Sequence, residues 1–195
     1  MIFINKKQEP KSLLKYRVNK RNLADITYDN FRDKDDVRDA LLAEQGHICA
    51  YCMQRITKDK MKIEHFACQS NNSELELNFS NMLGCCMGGH GNSKEYQHCD
   101  TRKNDEIIKF NPSNPHHKNL LKIYYDRNGL ISSEDEEFDK NLNEILNLNL
   151  EFLKNNRKAV LEQLYESFEK VKGTATKKDW EKKLLNFRNP NNGKL

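Results

Sequence analysis

Between Lys34 and Glu44, the apolar positions Val37, Ala40, Leu41 and Leu42 recur at nearly helical spacing, and Gly46 follows as a stop. On this pattern residues 1 to about 45 are mainly helical. Periodicity then weakens from residue 46 to about 112, where the cysteines and most of the glycines and histidines lie. Weak periodicity is expected where a bound metal, rather than a large apolar core, fixes the backbone. Phe110-Asn111-Pro112 and Asn114-Pro115 close this stretch with turn chemistry.

A third segment, residues 113 to 195, opens with apolar runs at Lys122–Tyr125 and Leu130–Ser132 around Arg127-Asn128-Gly129. Asn-Gly between apolar runs predicts a hairpin whose turn needs positive φ. The acids Glu134 to Glu137 then suit the positive end of a helix dipole. Leu142, Ile145, Leu146, Leu150, Phe152, Leu153, Val160, Leu161, Leu164 and Phe168 continue a helical pattern until Gly173. A last short helix is expected from Asp179 to Phe187, anchored by Trp180 and Leu184. No internal repeat interrupts this three-part order.

Charge changes the picture only locally. The 195 residues carry a formal net charge of +4, with 36% hydrophobic and 32% charged residues, polar for a globular chain yet with clear apolar clusters. Lys6, Lys7, Lys11, Lys15, Arg17, Lys20 and Arg21 face a single acid, Glu9. Such a cluster suits phosphate contact or a solvated helix face equally. No apolar run reaches the length of a membrane span, and Met1-Ile2-Phe3-Ile4 followed by Lys6 and Lys7 lacks a cleavable signal layout. The expected setting is therefore cytoplasmic, with no membrane partner.

All six cysteines fall between Cys49 and Cys99. Clustered cysteines in a cytosolic chain point to a metal rather than to disulfides. Cys49-Ala50-Tyr51-Cys52 is a Cys-x2-Cys knuckle, and the second half is Cys85 or Cys86 with Cys99. The plain alternative is a set of reduced, buried thiols. Cys68 stands apart as a structural thiol. A zinc ion held by four thiolates has no open position for water, so any catalysis must come from other groups nearby.

Those groups sit between the zinc halves. Glu64-His65 is followed by Asn81-Met82-Leu83, then Cys86, then Cys99-Asp100-Thr101-Arg102-Lys103. With this order of Cys-x2-Cys, Glu-His, Asn-x-Leu and Cys-Asp-x-x-Lys, the chain resembles the HNH, or ββα-metal, nuclease family. Within it the closer similarity is to the group holding the PtuB nuclease subunit of Septu anti-phage systems and related retron effectors. That similarity rests on Gln45-Gly46-His47-Ile48-Cys49-Ala50-Tyr51-Cys52, on His98 to Lys103, and on Leu146-Asn147-Leu148-Asn149 with Arg157, over roughly residues 1 to 160.

The resemblance implies an α+β fold: a small zinc-bound ββα-metal core (46–112) flanked by an N-terminal helical, basic segment (1–45) and a C-terminal helical region (113–195) suited to partner docking. It implies a structural Zn²⁺ on Cys49, Cys52, Cys86 and Cys99, with Cys85 a possible substitute for Cys86. His65 matches the general base, an imidazole titrating near neutrality. Glu64 and Asp100 match positions that bind a catalytic Mg²⁺ or Mn²⁺. Asn81 matches the residue that holds the loop and orients the histidine, and Lys103 or Arg102 matches a phosphate contact. The implied activity is hydrolysis of nucleic acid, DNA ahead of RNA, leaving a 5′ phosphate and a 3′ hydroxyl. An ATPase partner resembling PtuA and a role in anti-phage defence are implied as well.

One departure from the family pattern matters. Gly89 stands where a fourth cysteine is usual, and His90 lies nine positions after Asn81. An insertion from Met87 to His98 restores both the ligand, at Cys99, and the signature residue, at Asp100. The rival alignment puts His90 at the metal and leaves zinc incomplete. The rival function is a non-catalytic zinc module that binds nucleic acid or protein and needs neither His65 nor Asp100.

Overall fold

The computed structural model describes residues 1–18, 26–169 and 176–188. Lys20, Arg21 and Gly173, singled out above, lie outside them. Residues 1–10 carry no regular secondary structure, and the first helix is α1 (Lys11–Val18). Helix α2 (Lys34–Gln45) turns Val37, Leu41, Leu42 and Gln45 inward and ends on Gly46 at φ 64°. Only a residue without Cβ adopts that left-handed cap at no cost, so the stop signal read from Gly46 corresponds to a real C-cap.

Two short strands follow. Strand β1 (Lys62–His65) pairs antiparallel with β2 (Met82–Cys85), Lys62 opposite Cys85 and His65 opposite Met82. A one-turn helix, α3 (Cys99–Lys103), comes next. The buried Gln45 amide binds β2 to α2: its Nε2 donates to Gly84 O at 2.8 Å and its Oε1 accepts from Gly84 N at 2.7 Å.

The expected hairpin forms as β3 (Ile123–Tyr125) against β4 (Ile131–Ser133). Its turn is longer than a two-residue Asn-Gly loop. Asp126 N donates to Leu130 O, Gly129 N to Asp126 O, and only Gly129 of that pair has positive φ. The acidic stretch starts α4 (Glu136–Lys140), where the Asp135 carboxylate caps Phe138 N at 2.9 Å.

The leucine pattern after Phe138 is not one continuous helix. A π-helical turn (Asn141–Ile145) leads to Asn147 at φ 50°, and α5 (Glu151–Glu169) begins only afterwards. The break has partners: Asn147 Nδ2 donates to Glu95 O and Gln97 O, and Arg157 donates to Leu148 O and Gly129 O. The final helix is α6 (Lys177–Arg188), on which Trp180 is 43% exposed.

One cluster of buried apolar side chains runs through all three sequence segments. It includes Leu13, Phe31 and Leu41, then Tyr51, Ile56 and Met82, then Ile131, Phe138, Leu142, Leu148 and Leu153. The small sheets and the helices make a mixed α+β fold. Among the described residues, no helix is long and apolar enough to cross a membrane.

Candidate metal centre and acid–base cluster

Four sulfur atoms, from Cys49, Cys52, Cys86 and Cys99, all lie within 4.8 Å of one another and are buried. Cys49 and Cys99 sulfurs are 3.8 Å apart, and those of Cys52 and Cys86 are 3.7 Å apart. A disulfide needs about 2.05 Å. A tetrahedral ion with metal–sulfur bonds of about 2.3 Å sets its ligands roughly 3.8 Å apart. The donor set and its spacing therefore fit a zinc ion. Cys85 is buried beside Cys49 but is not one of the four, and His90 is exposed on the loop after β2.

The chain bends to make this cluster. Cys99 takes φ 54°, a left-handed conformation that is costly for a residue with a Cβ. Its N–H is held by Leu146 O at 2.9 Å, so the C-terminal segment fixes the fourth ligand. Gly88 sits at φ 57°, and a Cβ there would lie 2.2 Å from His98 O. That close approach closes the base of the loop from Met87 to His98 and returns the chain to Cys99.

The sulfurs also compete for protons. Burial pushes the Cys49 thiol up, but hydrogen bonds from Cys52, Cys85, Cys86 and Cys99 outweigh it and hold it well below the ordinary thiol range. Cys52, through its hydrogen bond to Cys49, and Cys99, through burial, are pushed up in return. A divalent cation relieves that competition by replacing protons, and its binding would release them.

Strand pleating divides the neighbouring groups. Lys62 and Glu64 point to the α3 side of β1, and Ile63 and His65 alternate to the other. Glu64 is 4% exposed and Lys103 is 0% exposed, and they form a buried ion pair at 3.0 Å. The Tyr51 hydroxyl, from inside the first knuckle, donates to the same carboxylate oxygen at 3.0 Å. Burial, then a hydrogen bond with Asp100, raise the Glu64 carboxyl well above its usual range. Asp100 itself lies 3.3 Å from Lys62, whose ammonium also donates to Thr101 Oγ1 at 2.8 Å.

The phosphate contacts expected from Lys103 and Arg102 are not what these side chains make. Lys103 is spent on Glu64, and Arg102 donates to Lys94 O at 2.7 Å and Glu144 O at 3.4 Å. Two of the N-terminal basic residues are likewise paired within the chain, Lys6 with Glu44 and Arg17 with Glu9.

His65 ends β1 and is 6% exposed, with the Tyr28 ring set edge-on at 4.5 Å. Its Nε2 lies 2.8 Å from Glu76 O. A carbonyl oxygen can only accept, so Nε2 carries the proton and Nδ1 keeps its lone pair. Burial lowers the imidazole pKa, which favours the neutral ring. The charges of Asp100 and Lys103 also reach this ring, with opposite effects.

Asn81 supports the loop that carries Glu76. Its side chain grips Ala67 from both ends, accepting from Ala67 N at 2.8 Å and donating to Ala67 O at 2.9 Å. Its backbone oxygen accepts from Phe66 N. Sequence reasoning missed Tyr51, Lys62 and the Glu76 carbonyl. A tyrosine within a knuckle and a lysine two before Glu64 are visible signals, whereas a backbone carbonyl leaves none.

No family model matches the chain. It is similar to a protein of Vibrio cholerae serotype O1 biovar El Tor named "Retron Vc95 putative HNH endonuclease". The two are 24% identical over 168 residues, which covers 82% of this chain and 80% of that protein.

Proposed function

We propose that this chain is a metal-dependent HNH endonuclease that hydrolyses phosphodiester bonds in nucleic acid, DNA ahead of RNA. The observation that carries this reading is an oriented imidazole at the end of the strand that also carries Glu64, with α3 and its Asp100 tied to the other face of that strand by the Lys103–Glu64 and Lys62–Asp100 pairs and to the knuckle by four clustered sulfurs. The similarity to a retron protein bearing the HNH name supports it.

In this reading zinc on Cys49, Cys52, Cys86 and Cys99 is structural. His65, held by Glu76 O through Nε2, takes a proton from the attacking water at Nδ1. Asn81 keeps the loop bearing Glu76 in place and so keeps the ring oriented. Glu64 and Asp100 offer hard carboxylate oxygens suited to Mg²⁺ or Mn²⁺. Such an ion, when bound, would neutralise phosphate charge and stabilise the departing 3′ oxygen. Because each carboxylate already faces a lysine, the ion competes with Lys62 for Asp100.

Cleavage of DNA and RNA by purified protein, with and without added Mg²⁺ or Mn²⁺, tests the reading. Ion-dependent cutting that Asp100→Ala abolishes supports it, and cutting that survives this substitution contradicts it. A second reading, a non-catalytic zinc module, is favoured by the burial of His65 against Tyr28. It predicts nucleic acid binding without cutting under any of these conditions.

The resemblance to the Septu and retron group adds an anti-phage role and an ATPase partner to the proposal. Helix α5 leaves Val160 and Tyr165 exposed and available for docking. Val160→Glu with Tyr165→Glu should release a PtuA-like ATPase from a co-expressed complex while zinc content stays unchanged. A complex that persists would argue against docking through α5.

A further inference from the structure

Tyr51 stands between two of the clustered cysteines, Cys49 and Cys52, and is fully buried. Ala50 N donates to Gly84 O at 3.0 Å, which sets the knuckle against β2. From there the Tyr51 hydroxyl donates to Glu64 Oε1, on the strand paired with β2, at 3.0 Å. The Lys103 ammonium lies 3.0 Å from the same oxygen. Both donors therefore act on Oε1, and neither acts on Oε2.

The hydroxyl has one task. Among the described residues Glu64 is its hydrogen-bond partner and it has no other. Packing does not need it, because the ring alone fills the buried space. Charge compensation does not need it either, because Lys103 already supplies the cation. What a second donor on Oε1 adds is direction. A glutamate carboxylate turns about several bonds unless its oxygens are held, and carboxylates held by hydrogen bonds make better metal ligands. Asp100, the more open of the two acids at 18% side-chain exposure, lies within hydrogen-bonding reach of Glu64.

We propose that Tyr51 is a positioning residue for the divalent ion: its hydroxyl, anchored by the knuckle, holds Glu64 Oε1 and so keeps Oε2 available beside Asp100 as one half of a ligand pair. Tyr51 touches neither ion nor substrate. It passes the order that the sulfur cluster imposes on the knuckle to a carboxylate on β1, and one hydroxyl links the two metal sites. The proposal rests on the Glu64 and Asp100 ion site proposed above, and its test does not depend on cleavage.

Mn²⁺ titrated into the zinc-loaded full chain without nucleic acid reads the site, with free Mn²⁺ followed by electron paramagnetic resonance. Tyr51→Phe should weaken Mn²⁺ binding by about tenfold or more. Its zinc content and near-ultraviolet circular dichroism should match the wild type, because the ring and the four sulfurs remain. A purely structural hydroxyl would leave Mn²⁺ affinity where it was. Equal Mn²⁺ affinity in the two zinc-loaded proteins therefore overturns the role of Tyr51 and leaves the ion site standing. Loss of zinc from Tyr51→Phe overturns that role as well, because the hydroxyl would then serve the knuckle rather than the carboxylate. A wild type that binds no Mn²⁺ removes the ion site itself, and the proposal falls with it.

Discussion

His65 shows how little room the proposed chemistry leaves to chance at the residue scale. Its Nε2 is committed to Glu76 O, and burial lowers its pKa from the ordinary 6.5. The base form therefore persists below the pH at which an exposed histidine would protonate. The acid limb of the pH–rate profile should fall below pH 6.5. A limb at or above the ordinary value would show that the titrating base is not this ring. Glu64 illustrates the reverse shift. Its raised carboxyl contributes stability that is present below the unfolded-state pKa and is lost as pH rises through the folded one. Lys103 is the buried cation that compensates the ionised form. Lys103→Met should destabilise the fold by about 3–5 kcal/mol at a pH high enough to ionise Glu64, because it strands a buried charge. In urea unfolding the loss should shrink at acid pH, where Glu64 takes up a proton, and adding Glu64→Gln should recover much of it. A uniform loss across pH would mean that the pair is not ionised.

At the scale of elements, what was legible depended on whether a local signal exists. Helix α2 and its Gly46 cap were readable because apolar spacing and a left-handed glycine are both local. The β3–β4 hairpin was readable for the same reason. The long leucine pattern misled because spacing alone does not reveal that Asn147 and Arg157 bind distant backbone carbonyls and break the helix. The cysteine pairing was legible once an insertion was allowed, and the sulfurs of Cys86 and Cys99 do join those of the first knuckle. The ion pair of Lys103 with Glu64 was not legible, because nothing local marks that lysine as the buried partner of a carboxylate thirty-nine positions earlier. Gly88 is the hinge on which the insertion closes, at φ 57° with His98 O in the space a Cβ would fill. Gly88→Ala should cost about 1–2 kcal/mol from the left-handed backbone alone, and more from the clash. Faster zinc release to a chromophoric chelator would report the displaced Cys99, and unchanged release would mean that the loop does not control the fourth ligand.

At the scale of the whole molecule, one cluster of buried apolar side chains among the described residues draws on all three sequence segments. Leu146 O holds Cys99 N, while Tyr51 and Leu142 belong to the same buried cluster. Small strands alone cannot cover an apolar face, so the metal-binding stretch shares its buried side chains with the helices on either side of it. The sulfur cluster joins the first knuckle, the residue after β2 and α3, and the Lys103–Glu64 and Lys62–Asp100 pairs tie α3 to β1, the strand that ends in His65. The most direct test compares zinc-loaded wild type with His65→Ala for the rate of Mg²⁺-dependent cleavage, with zinc content measured on both. The account predicts a rate lowered by about 10²–10⁴-fold at unchanged zinc content. Equal rates in the two proteins would contradict it.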